Sequence, residues 1–176
     1  MKKQRGVPSR KDLSSQKARL RGTSLAEHAE GLRNWGLYDL DIERAERLRE
    51  VLESLHEANR HVPIIVEGKR DIAALREIGF TGEIIAVHGG KGIYEFCEDL
   101  AERFRRVVLL TDWDEQGEVL HRKLSEHLRG ISEEFAFLRE IIRFLCQKEV
   151  KDIEGVPALL ERLSGARVTM GESGIP

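Results

Sequence analysis

VPIIVEGKRDIAALREIGF, residues 62–80, changes its rhythm halfway along. Val62, Ile64, Ile65 and Val66 make a short, β-branched apolar run of strand length, and Pro63 is tolerable where a strand begins. Ile72, Leu75 and Ile78 then recur at helical spacing, and Gly79 fits the left-handed residue that follows a helix. Between the two lies a wholly polar or glycine turn, Glu67-Gly68-Lys69-Arg70-Asp71. Strand, turn and helix follow one another without a linker.

The same cycle recurs towards the C terminus. Residues 83–87 read as a second strand, followed by a helix whose face is Ile93, Phe96, Cys97, Leu100 and Phe104. Residues 107–111 read as a third strand, followed by a helix presenting Val119, Leu120, Leu124 and Leu128 before Gly130. Parallel neighbours need crossover helices, so three such units predict an α/β fold: a parallel sheet of three to four strands flanked by helices. No fourth strand is evident. Phe135, Leu138, Ile141, Ile142 and Leu145 recur as a long helix with Ser132 at its cap, and Pro157 opens a last helix carrying Leu159, Leu160 and Leu163.

Towards the N terminus, Ile42, Ala45, Leu48, Val51, Leu52 and Leu55 share one helical face over residues 41–59, with Asp39 or Asp41 placed to cap it. Up to Trp35 the chain mixes Arg, Lys, Ser and Gly without a clear period. The expected organisation is therefore a basic, largely irregular arm (1–36), an amphipathic helix (37–60), the α/β domain (61–130), a C-terminal helical extension (131–165) and a flexible tail (166–176). Neither internal repeats nor low-complexity blocks interrupt it.

Composition narrows the class. The chain has 176 residues, 40% of them hydrophobic, which suits one domain plus appendages; 34% are charged, which predicts a heavily ionised surface. No apolar run is long enough to span a bilayer, and no apolar segment follows the N-terminal positive charges, so a cytoplasmic protein without membrane partners is expected. Cys97 and Cys146 lack metal-ligand spacing and are read as buried thiols rather than a zinc site. Residues 1–21 hold eight Lys or Arg against Asp12 alone, a net +7, so the remaining residues carry −9. Such an arm either neutralises the phosphates of a polyanion or is a solvated tail.

In open parallel sheets, ligands bind beyond the carboxyl ends of the strands. Here those ends read Glu67-Gly68-Lys69-Arg70-Asp71, His88-Gly89-Gly90-Lys91-Gly92 and Asp112-Trp113-Asp114-Glu115-Gln116-Gly117. Asp112 and Asp114, two apart at a strand terminus, direct their side chains to the same side. With the first and third strands adjacent, Glu67 faces the same point, and three mutually repelling carboxylates call for a cation. Such an oxygen set suits Mg2+ or Mn2+ and phosphoryl chemistry. Glu67 then moves the proton, while Lys69 offsets negative charge on phosphorus. Lys91, Gly90 and Arg70, with Lys2, Lys3, Arg5, Arg10 and Lys11 of the arm, are the candidate phosphate contacts. Each feature also has a plainer reading: Asp-x-Asp as a turn or helix cap, Lys69 and Arg70 as surface charges, Asp71 as a helix-dipole partner, Gly89-Gly90 as a turn. Acids at two strand ends of one α/β unit raise the chemical reading above these.

IIVEGKRD (64–71), HGGKG (88–92) and VVLLTDWDEQG (107–117) together resemble the Toprim domain of topoisomerases, primases and several nucleases, which carries Glu-Gly after one strand and Asp-x-Asp-x-x-Gly after a later one. The likeness covers about residues 62–130. The EGK triplet is similar to the small Toprim ribonucleases that mature 5S ribosomal RNA precursors, and to small archaeal Toprim proteins. The resemblance implies that Glu67 is the general acid or base, that Asp112 and Asp114 bind magnesium, that Gly117 closes the motif and that Lys69 aligns with the maturase-type lysine. KDIEG (151–155) loosely resembles a late acidic motif of the family, although a plain loop is the favoured reading of Asp152 and Glu154.

Topoisomerase activity needs a strand-cleaving tyrosine on separate domains, and only Tyr38 and Tyr94 exist. Primases of the family add segments that this length does not hold, and no GxxxxGK[ST] loop is present. Two functions remain: a Mg2+-dependent nuclease acting on structured RNA in RNA processing, with RNA favoured over DNA and ribosomal RNA or a ribonucleoprotein among its partners, or a noncatalytic nucleic-acid-binding adaptor on a metal-stabilised Toprim fold.

Overall fold

A computed structural model describes residues 25–87, 90, 92–146, 149–165 and 169–171, with side chains from residue 40 onward. The chain divides into two compact units, Met1–Leu40 and Asp41–Pro176. Lys2, Lys3, Arg5, Arg10, Lys11 and Lys91 lie outside the described residues.

Helix α1 runs over Leu25–Asn59, so it begins inside the stretch expected to be irregular, and neither Asp39 nor Asp41 caps it. Ala26, Glu27, Ala29, Glu30, Leu32 and Arg33 are good helix formers, and no proline interrupts the span, so propensity carries the helix where amphipathic period is missing. Ala45, Leu48, Leu52 and Leu55 supply its buried face. Asn59 ends the helix and ties it to the sheet, its Nδ2 donating to Val62 O at 3.2 Å and Glu83 O at 2.9 Å.

Three parallel strands follow: β1 Ile64–Val66, β2 Ile84–Ala86 and β3 Val108–Leu109, in the order β2-β1-β3. Ile64 pairs with both Ile84 and Val108. This register brings the ends of β1 and β3 side by side. Pro63, which has no N–H to give, still contributes its carbonyl, which accepts the Val108 N–H at 2.9 Å. All three β1 residues are wholly buried, as a central strand covered on both faces requires.

The crossovers are α2 Lys69–Glu77 and α3 Ile93–Arg103; α4 Glu115–His127 follows β3. A 3-10 turn at Glu133–Phe135 leads into α5 Ala136–Cys146, and α6 Val156–Ser164 follows with proline in its first turn. Strand alternation sorts the core. Ile64, Val66, Val108 and Leu110 pack with α1, α2, α5 and α6, whereas Ile65, Val107 and Leu109 pack with α3 and α4. Among the described residues the sheet has three strands. The outer side of β3 is met instead by Ile131, whose carbonyl accepts the Val107 N–H at 2.9 Å.

Two local expectations change. Ser132 makes no side-chain cap; the Glu133 carboxylate takes the Gly130 N–H instead, at 2.8 and 2.7 Å. Within the expected flexible tail, Met170 is buried, and its N–H donates to Ile78 O at 2.7 Å. Gly79 is left-handed at φ 98°, and a Cβ there would stand 2.7 Å from Met170 O, so the returning chain also needs glycine. Cys97 and Cys146 are free and buried; burial raises both thiols, Cys146 to about 12, which leaves them protonated and inert. No helix among the described residues is long and apolar enough to cross a membrane.

Candidate active site

The site grows from the two adjacent strand ends. β1 runs into Glu67 and Gly68; the Gly68 N–H is taken by Asp71 Oδ2 at 2.8 Å, which stabilises the start of α2. β3 runs through Thr111 into Asp112, and Asp114 caps α4, its Oδ1 accepting the Gly117 N–H at 2.7 Å. The plainer roles of Asp71 and Asp114 are therefore real. They also hold these side chains at the sheet rim.

Glu67 and Asp112, distant in sequence, meet there: Glu67 Oε1 accepts the Asp112 N–H at 3.2 Å. Gly117 makes the meeting possible. A Cβ on it would lie 2.3 Å from Asp112 O and 2.8 Å from Glu67 Oε1.

A third segment joins them from the loop that had been read as plain. Trp113 draws it in, its Nε1 donating to Val150 O at 2.6 Å and its N–H to Lys151 O at 3.0 Å. The Ile153 N–H then donates to Asp112 Oδ1 at 2.9 Å, and Asp152 Oδ1 accepts the Gly155 N–H at 2.8 Å. Asp152-Ile-Glu-Gly155 repeats the Asp-x-x-Gly spacing of Asp114-Glu-Gln-Gly117, a signal that was visible in the sequence.

These acids burden one another. Burial, then the carboxylates of Asp71, Glu67 and Asp152, push Asp112 up to about 7 against the opposing Ile153 N–H. Burial, with Asp114 and Asp71, raises Glu67 against the Asp112 N–H and Arg139. Burial, with Glu154 and Asp152, raises Asp71 against the Gly68 N–H. A carboxylate whose folded pKa is raised stabilises the fold only while protonated, so its contribution is lost as pH climbs from the ordinary range towards the raised value. In chelator, the melting temperature is expected to fall by on the order of 5 °C between pH 4 and pH 7 from these groups, then level off. A melting curve that rises over that interval contradicts the raised carboxylates.

Among the described residues, no three His, Cys, Asp or Glu side chains stand gathered as a metal cage. The donor chemistry nonetheless fits a hard cation: Glu67, Asp112 and Asp114 are all oxygen donors, each spends one oxygen on a backbone N–H, and the second oxygen of each has no hydrogen bond among the described residues. Lys69 opens α2 and is exposed. Arg70 stands 3.8 Å from Glu154, both exposed, so that pair is weak. Gly90 is exposed.

Sequence reasoning passed over Arg139. Its side chain is wholly buried, yet Nε donates to Thr111 O at 3.0 Å and Nη2 to Asp112 O at 2.6 Å and Glu118 Oε1 at 2.9 Å.

A parallel sheet with acids at two neighbouring strand ends, a closing glycine and a late acidic loop defines a class, and a family model for the Toprim domain matches residues 62–144. A UPF0292 protein of Methanosarcina barkeri is 38% identical over 131 residues, 71% of this chain and 90% of the relative. One from Pyrococcus furiosus is 34% identical over 121 residues, 69% and 89% of the two chains. A solved structure from Aquifex aeolicus shares 30% identity, covering 60% of this chain and 94% of its own, at a TM-score of 0.47. The chain belongs to the Toprim-domain proteins, in the UPF0292 family of these archaeal relatives.

Proposed function

We propose that this protein is a Mg2+- or Mn2+-dependent nuclease that hydrolyses phosphodiester bonds, with structured RNA as its substrate. The observation carrying the reading is the contact of Glu67 with Asp112, both half-buried, at the ends of two adjacent strands, inside a group of mutually repelling carboxylates. Asp112, Asp114 and Glu67 would hold the ion. The chemistry such an ion supplies when bound is polarisation of the phosphate and stabilisation of charge on the attacked or leaving oxygen.

The chain's own residues do the rest. Glu67, whose burial raises its proton affinity, exchanges a proton with the attacking water or the leaving oxygen, a task that favours a pKa nearer the working pH. Lys69, exposed at the start of α2, offsets charge on the phosphorus. Lys91, Gly90, Arg70 and the basic arm contact the phosphates of the strand.

One observation favours a second reading, a noncatalytic nucleic-acid-binding adaptor: Glu67, Asp112 and Asp114 already serve the fold by accepting backbone N–H groups. Incubation of the full chain with total RNA from the source organism, with ends mapped by sequencing, separates the two. The nuclease yields discrete cuts with Mg2+, none in chelator, and none with Glu67→Gln, Asp112→Asn or Asp114→Asn. Undiminished cutting by all three variants refutes it. The adaptor yields no product, and its salt-sensitive binding collapses when residues 1–21 are deleted.

A further inference from the structure

We infer that Arg139 is the positioning residue of the acidic centre, holding the backbone of Asp112 where the proposed metal ligand must stand. The inference rests on the metal reading given above.

Arg139 lies on α5 among Leu138, Ile142, Leu145 and Cys146, all of them buried. Burying a guanidinium costs several kcal/mol, and an apolar residue would fill the same space at less cost. Its geometry shows what the burial achieves. Thr111 and Asp112 lie just beyond the end of β3, and this one guanidinium donates to both of their carbonyls. Arg139 thereby fixes the backbone that carries the Asp112 side chain. It also spans outward, with Nη1 on Glu140 Oε1 at 2.9 Å and Nη2 on Glu118 Oε1, which ties the start of α4 to α5.

Asp112 is thereby held from four segments: its N–H by Glu67, its carbonyl by Arg139, its Oδ1 by the Ile153 N–H and its flank by Gly117. Among the described residues, the second carboxylate oxygen has no hydrogen-bond partner and is left to a ligand. Lysine cannot replace the arginine here, because a single ammonium lacks the planar fork that reaches two carbonyls and a carboxylate together.

The test is Mn2+ binding by calorimetry on the full chain, with the melting temperature of each protein in chelator. Wild type, Arg139→Lys, Arg139→Met and Leu52→Ala are compared; Leu52→Ala lowers stability by opening a cavity in the core without removing a hydrogen bond to Asp112. The Mn2+ Kd is expected to rise about tenfold or more in Arg139→Met and severalfold in Arg139→Lys, in line with loss of a partner that orients a metal ligand. Leu52→Ala keeps the wild-type Kd at a lower melting temperature. Should Arg139→Met fail to fold, Arg139→Lys decides. Wild-type Kd in the folded Arg139 variants, or an equal loss of affinity in Leu52→Ala, overturns the inference while leaving the metal reading intact. No Mn2+ binding by wild type at millimolar concentration overturns both.

Discussion

Gly117→Ala is expected to lower the melting temperature by about 6 °C and to remove any stabilisation by Mg2+ or Mn2+. The new methyl group would lie 2.3 Å from Asp112 O, 2.6 Å from Asp112 C and 2.8 Å from Glu67 Oε1. The first two are backbone atoms of a residue pinned on its other sides by Arg139 and Ile153, so relief requires moving β3's end away from α4. Overpacking in a site that cannot give costs about 3 kcal/mol, the upper end of the usual range. Alanine recovers roughly 1 kcal/mol of helix propensity, which falls short of that. At roughly 2 to 4 °C per kcal/mol for a chain of this size, the net loss corresponds to the shift stated. Gly92→Ala is the control: nothing stands within 4 Å of its Cβ, and its φ of −63° suits any residue. Equal melting temperatures for Gly117→Ala and wild type would mean that the β3–α4 turn is looser than its contacts imply.

Asp112→Asn is expected to act in opposite directions with and without metal. In chelator above pH 7 the aspartate is ionised at a half-buried position among Asp71, Glu67 and Asp152, having been pushed up to about 7. Asparagine removes that charge while its Oδ1 still accepts the Ile153 N–H. The variant should therefore be more stable than wild type by on the order of 2 kcal/mol at pH 8, the excess having accumulated between pH 4 and pH 7. With the divalent ion at a hundred times its Kd, wild type gains about 2.7 kcal/mol and the variant nothing. The order of the two melting temperatures then reverses. Differential scanning fluorimetry at pH 8 with chelator and with millimolar Mn2+ reads both effects, and an Asp112→Asn protein that is destabilised in chelator contradicts the first.

The carboxylates of this Toprim body unite the two predictions: the charge that is costly in chelator is the charge that a cation would relieve.

What the chain carried locally was legible as a sequence. The β-branched apolar run of Ile64, Ile65 and Val66, the helical spacing of Ile72, Leu75 and Ile78 and the recurrence of that unit dictate parallel strands with crossover helices, because each element must bury its own apolar face. Glu67, Asp112 and Asp114 could be read from their places just after apolar runs. The start of α1 could not, since its N-terminal half has propensity without period.

Only the tertiary structure decided which distant groups share the rim. Asp152 and Glu154 are a loop by local criteria, and Trp113 brings that loop to Asp112 through its bonds to Val150 and Lys151. Nothing in the sequence singles out Arg139, which stands beside Glu140 on a helix, since a sequence does not say which side of α5 meets the end of β3. Packing settles it: the carbonyls of Thr111 and Asp112, just past β3, need a donor, and the buried arginine supplies it.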